Sequence, residues 1–160
     1  MTKTAKTVWV YVLSVLLALG VGGISALLTM DSMDIYGQLK TPPLSPPSIL
    51  FPIVWSALYI LMGISAARIY LANAEKSRKQ NALAVYFVSL LFNFGWSIFF
   101  FNLRAFLFSF FWILALLFFI LKTVVLYREI DRPAAYLQIP YALWVAFATY
   151  LNCGIYFLNR

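Results

Sequence analysis

The 160-residue chain has no histidine and one cysteine, Cys153. A lone thiol closes no intrachain disulfide, and without imidazole there is no Cys/His metal site. Ordinary histidine ligation of a haem iron is excluded for the same reason. Acidic residues are also scarce, five against twelve Lys and Arg. No charged residue lies deep in any of the long apolar runs. Arg68 and Lys122 come nearest, close enough to a span end for their long side chains to reach the interface. Proton relays, voltage sensors and ion-coupled carriers ordinarily need buried charge, so those classes are disfavoured. No buried acid, base, nucleophile or metal group of a conventional enzyme can be assembled, so no catalytic residue is named.

Apolar sequence fills the rest. The hydrophobic fraction is 64% and the mean hydropathy +0.89, outside the range of soluble globular domains. Five stretches, near 8–29, 51–71, 82–101, 105–127 and 134–158, each hold about 20 residues or more. At about 1.5 Å of rise per residue each can cross a hydrocarbon core of about 30 Å. Backbone groups in lipid must be satisfied within the segment, so each span is expected to be helical. The expectation is an all-α membrane protein, a five-transmembrane-helix bundle forming a single domain over 1–160. The first stretch is read as a span and not a cleaved leader, because its apolar run exceeds the usual leader core.

Charge orients the bundle. The N-terminus and the second and fourth connections carry nine of the twelve basic residues: Lys3, Lys6, Arg68, Lys76, Arg78, Lys79, Lys122, Arg128 and Arg132. Lys40, Arg104 and Arg160 stand on the other side. The bias places the N-terminus inside and the C-terminus outside. The basic cluster fits membrane lipids with anionic heads, and no nucleic-acid partner is expected.

The connection over 30–50 is the only long one, and Pro42, Pro43, Pro46 and Pro47 keep part of it extended. Loops of this length often act as lids. In the first span Ser14, Ala18, Gly22 and Ala26 form a small-residue stripe, either a homodimer face or a seam within the chain. Trp55, Asn93, Trp144 and Ala148 come from three spans and reach similar depth beneath the long connection. An apolar cavity with a few indole and amide donors suits a large, flat, hydrophobic ligand. Trp and Tyr also form interfacial belts, the better account for Trp9, Tyr11, Tyr127 and Tyr156; for Trp55 and Trp144 both readings stay open.

Three runs carry a resemblance. Lys40–Pro47 followed by Phe51-Pro52-Ile53-Val54-Trp55 resembles the first-loop and second-helix signature of the translocator protein family, also called tryptophan-rich sensory proteins or peripheral-type benzodiazepine receptors. Phe92-Asn93-Phe94-Gly95-Trp96-Ser97 resembles its third helix, and Pro140–Asn152 its fifth. The resemblance spans essentially the whole chain. It implies a five-helix bundle, often homodimeric, that binds porphyrins, sterols and synthetic drug ligands in a pocket between the helices closed by the first loop. The matching pocket positions are Tyr36, Pro46, Trp55, Asn93, Trp96, Trp144, Phe147 and Ala148. Trp55 and Trp144 match tryptophans that donate to a ligand carbonyl, and Ala148 an alanine whose small size leaves room. Cys153 stands where animal members carry a tyrosine of their cholesterol-recognition stretch, and cholesterol is not the expected ligand. Protoporphyrin IX without metal is, with no cofactor required. The expected function is a receptor or transporter-like membrane protein for tetrapyrroles, in a bacterial cytoplasmic membrane. The alternatives are a light-dependent protoporphyrin-degrading enzyme and a regulatory membrane interaction protein.

Overall fold

The computed structural model describes residues 2–160. It contains five α-helices: α1 (Lys3–Thr29), α2 (Leu50–Leu71), α3 (Lys76–Ser97), α4 (Phe106–Ile130) and α5 (Arg132–Leu158). No strand occurs among the described residues. All five helices are long and apolar enough to cross a membrane.

Several helix ends differ from the sequence reading. Helix α1 begins at Lys3, five residues before Val8, where the Thr2 hydroxyl accepts a hydrogen bond from the Ala5 amide at 3.3 Å. Such a cap satisfies one of the free amides of a first helical turn. Helix α3 begins at Lys76. The polar run 76–81, which precedes the apolar stretch 82–101, is rich in residues that favour helix once a first turn exists. Its Lys79 ammonium donates to the Tyr70 and Ala72 carbonyls, both at 3.0 Å, closing the end of α2. A cation there also complements the helix dipole. Helix α5 starts at Arg132 with Pro133 in its first turn, where a missing amide costs nothing.

The long connection is not uniformly irregular. Met30–Gly37 forms a 3-10 helix. The rest is tied down on α5. Lys40 and Asn159 exchange two hydrogen bonds of 3.0 and 2.8 Å, and Tyr150 donates to the Pro43 carbonyl at 2.9 Å. Pro42 is buried, lying where a side chain on Gly154 would stand. Leu44 adopts a left-handed conformation (φ 69°) at the exposed turn.

Around the bundle, α1 packs on α2, α2 on α5, α5 on α4 and α4 on α3; the contact of α3 with α1 that completes the ring is slight. Polar links pin α2 to α5. Ser65 donates to the Ala134 carbonyl at 2.8 Å and accepts from Gln138 at 3.2 Å, all buried. Arg68, read from sequence as free to reach the interface, pairs with Asp131 through bonds of 2.6 and 3.2 Å at the start of α5.

One sequence reading is corrected, and of the two readings of the α1 stripe the seam within the chain is seen. Tyr127 is fully buried, not interfacial; its ring lies 6.3 Å from that of Tyr86. The α1 stripe is used largely within the chain. Ala18 is fully buried, Gly22 faces the Tyr59 ring, and the backbone at Ser14 and Val15 meets Gly63 of α2; only Ala26 is exposed. The stripe packs there because α2 offers a glycine at the crossing. A Cβ on Gly63 would stand 2.5 Å from the Val15 Cα. Gly63→Ala is therefore expected to push α1 off α2 and cost about 1–3 kcal/mol, the usual range for overpacking. Thermal unfolding in detergent followed by circular dichroism checks this, and an unchanged midpoint would contradict the tight crossing.

Candidate functional site

At the end of the bundle under the long connection, α1, α2 and α3 surround a cavity of about 180 Å³, lined by Gly22, Ser25, Thr29, Trp55, Tyr59 and Trp96 among others. A second cavity of about 340 Å³ lies at the mouth, against Tyr36, Gly37, Ser48 and Ile49 of the connection. A third gap of only about 20 Å³ lies toward α5, between Tyr36, Trp96, Ala148 and Asn152. All three share two rings, Phe51 and Phe101. These rings are the partition between the three spaces.

The partition is built by local structure. Phe51 and Trp55 lie one turn apart on α2, so both face the same way. The Phe51 ring meets Tyr36 at 5.0 Å and Trp144 at 5.9 Å, both edge-on. Phe101 is placed by a π-helical turn, Ile98–Asn102, that follows α3. Such turns are uncommon and often occur at functional sites. The widened turn is held by Asn102, which donates to the Leu28 carbonyl of α1 at 2.8 Å.

The donors differ in availability. The Trp96 indole is already committed, donating to Asn152 at 3.0 Å, while Asn152 donates to the Phe106 carbonyl at 2.8 Å. The Trp144 indole nitrogen and the Asn93 amide nitrogen are buried without a hydrogen-bond partner among the described residues. Asn93 lies where Tyr59 and Tyr141 converge. Trp55 stacks on Tyr59 at 5.6 Å and meets Tyr141 edge-on at 6.1 Å. The Tyr141 hydroxyl approaches Asn93 and Ser89 without closing a hydrogen bond. A buried donor left dry costs about 1–3 kcal/mol, so these groups are poised to accept a polar partner.

The eight residues singled out from sequence are distributed as follows. Trp55 and Trp96 line the 180 Å³ cavity, and Tyr36, Trp96 and Ala148 line the small gap. Asn93 is buried against Tyr59 and Tyr141 and lines none of the three spaces. Trp144 reaches the group through Phe51, and Phe147 packs behind Trp144 at 5.8 Å and stacks on Tyr150 at 6.1 Å. Pro46 is half-buried in the connection and lines none of these cavities; the proline held against α5 is Pro42. Burial pushes the Tyr36 phenol above its ordinary pKa, and its hydroxyl approaches Ser45 without closing a hydrogen bond.

Sequence reading did not select Phe51, Phe101 or Asn152 for the site. Phe51 had a signal, its i to i+4 spacing from Trp55. Asn152 shares the α5 face of Trp144 and Ala148. Phe101 had none, because a π turn breaks the helical register that would have placed it. No cluster of three potential metal ligands occurs among the described residues.

The sequence profile of the TspO/MBR family matches residues 13–158. The tryptophan-rich protein TspO of Chlorobaculum tepidum is 36% identical over 124 residues, 78% of each chain. The tryptophan-rich sensory protein of Cereibacter sphaeroides is 32% identical over 152 residues, 94% of this chain and 92% of its own. The translocator protein of Ovis aries is 31% identical over 118 residues, 73% of this chain and 70% of its own.

Proposed function

This chain belongs to the TspO/MBR family of integral membrane proteins, and from that premise we propose that it is a receptor or transporter-like protein for porphyrins and related flat hydrophobic ligands. The ligand enters beneath the long connection and lies in the joined space bounded by α1, α2, α3 and α5. The supporting observation is the meeting of three cavities at Phe51 and Phe101, where Phe51 lies against Trp144 with its unpaired indole. Separately, the 180 Å³ and 20 Å³ spaces are smaller than ordinary ligand pockets of about 300–1,000 Å³. Displacing the two rings would join them to the 340 Å³ mouth. On this reading ligand entry is coupled to movement of the two rings.

Titration with protoporphyrin IX, followed by tryptophan quenching in darkness and in light, tests the reading. Saturable binding in darkness with an unaltered porphyrin spectrum supports a receptor. A new product in light would make the chain an enzyme driven by the porphyrin's photochemistry. Absence of saturable binding would remove the proposal.

The indole donors give a finer test. Trp144→Phe keeps most of the apolar contact and removes one free N–H. A neutral hydrogen bond is worth roughly 0.5–1.5 kcal/mol, so affinity should fall about two- to twelve-fold. Trp96→Phe should instead lower thermal stability, because its donor already serves Asn152.

The location proposed with this function is a bacterial cytoplasmic membrane, N-terminus inside and C-terminus outside. The support is the nine-to-three distribution of basic residues. Reporter fusions at both ends check it, and an external N-terminus would reverse the assignment.

A further inference from the structure

The slight contact between α1 and α3 leaves a groove with α2 as its floor. Its part near Thr29 belongs to the site already described. At the opposite end, where α1 and α3 begin, lies a separate cavity of about 400 Å³, walled by Leu13, Leu17, Ala66, Tyr70, Leu83 and Phe87 among others. It also touches Val10, so along α1 it runs from 10 to 17, about 10 Å at the helical rise. The wall is almost wholly apolar, and Leu13 is 58% exposed on its outer edge. Voids against apolar walls forfeit dispersion contacts, so such a groove in a bilayer is filled by hydrocarbon.

Charge at the rim selects which hydrocarbon. The Lys79 ammonium, bonded to the Tyr70 carbonyl at 3.0 Å, stands at the rim formed by Tyr70. Lys6 lies one helical turn before Val10, on the same face of α1. The ion pairs among the described residues join Arg68 to Asp131 and Arg78 to Glu129. Neither Lys6 nor Lys79 is neutralised by a carboxylate there. An apolar slot about two helical turns long, ending at two ammonium groups that no carboxylate neutralises, matches one amphiphile of the surrounding leaflet.

We propose that this groove holds an acyl chain of an anionic phospholipid, with its phosphate facing Lys6 and Lys79. Each cation near an anionic head group contributes roughly a five-fold preference. The lipid fills the space between α1 and α3 that the chain's own side chains leave open. It occupies the end of the bundle away from the porphyrin site and does not depend on that site's function.

The test uses the full chain reconstituted in vesicles of equal parts phosphatidylglycerol and phosphatidylcholine, then released and weighed by native mass spectrometry. The expected result is one retained phosphatidylglycerol per chain, several-fold over phosphatidylcholine. Lys6→Gln and Lys79→Gln should each reduce that preference, and Lys6→Gln does so without touching the bonds that close α2. Leu13→Trp, which fills the groove from its exposed edge, should lower retention of both lipids while circular dichroism stays unchanged. Equal retention of the two lipids by the unaltered chain would overturn the proposal. So would Leu13→Trp splitting a dimer while leaving phosphatidylglycerol bound, which would make a second copy the occupant.

Discussion

Ala148→Phe is expected to lower porphyrin affinity by roughly five- to 150-fold, the factor corresponding to an overpacking cost of about 1–3 kcal/mol. Ala148 is 4% exposed and borders the narrowest of the three spaces, a gap of about 20 Å³ between Tyr36, Phe51, Trp96 and Asn152. A benzyl group there has two ways to go. It can enter the gap and press Trp96 against Asn152, or it can push Phe51 toward the mouth and fill the joined pocket from the α5 side. Either way the volume is removed where the ligand would lie. Tryptophan quenching by protoporphyrin gives the affinity, with circular dichroism as the check on folding. An unchanged affinity with the fold intact would mean that Ala148 only packs α5 against α3.

Phe51→Ala should act in the opposite sense. The Phe51 ring borders all three cavities and is held by two edge-on aromatic contacts, to Tyr36 and Trp144. Each such pair is worth about 0.5–1.5 kcal/mol beyond its buried area. If ligand entry requires breaking both, removing the ring lowers the barrier by about 1–3 kcal/mol. Porphyrin association measured by stopped-flow quenching should then be at least about five-fold faster. Thermal stability should fall as well, by less than the roughly 3–5 kcal/mol of a fully buried phenylalanine, because Phe51 is only half-buried. A lower stability with no change in association rate would show Phe51 to be packing and not a gate.

The fold was legible because the bilayer leaves few choices. Runs of about 20 apolar residues can only be helices there, and all five appeared. Their ends were less legible. Hydropathy marks where lipid stops, whereas the helix stops where backbone groups find other partners. Thr2 and the 76–81 run carry α1 and α3 beyond their apolar parts for that reason. The seam between α1 and α2 was visible as a stripe but not its partner. Gly63 and Tyr59, which meet it, lie on α2, and one sequence gives no pairing between helices. Tyr127 was misread because tyrosine has the same composition signal at an interface as in a core.

The site was legible to the extent that helical spacing and the family resemblance both pointed at it. Trp55 and Ala148 come from different helices and line neighbouring spaces that share Phe51 and Phe101, whereas Asn93 borders none of the three. What could not be read was which donors are free. Trp96 and Trp144 are equivalent in composition, yet Asn152 takes the first and nothing described takes the second. The prolines of the connection were equally indistinguishable; the contact with Gly154 selects Pro42 over Pro46.

The central claim is that a porphyrin occupies the space joined by displacement of Phe51 and Phe101. A structure of the chain with protoporphyrin IX bound in darkness tests it most directly. The account predicts the macrocycle in the joined space bounded by α1, α2, α3 and α5, the Phe51 and Phe101 rings turned away from their present positions, and the Trp144 indole donating to the ligand. A porphyrin lying on the lipid-facing surface, with both rings where they are now and the Trp144 indole still unpaired, would contradict it.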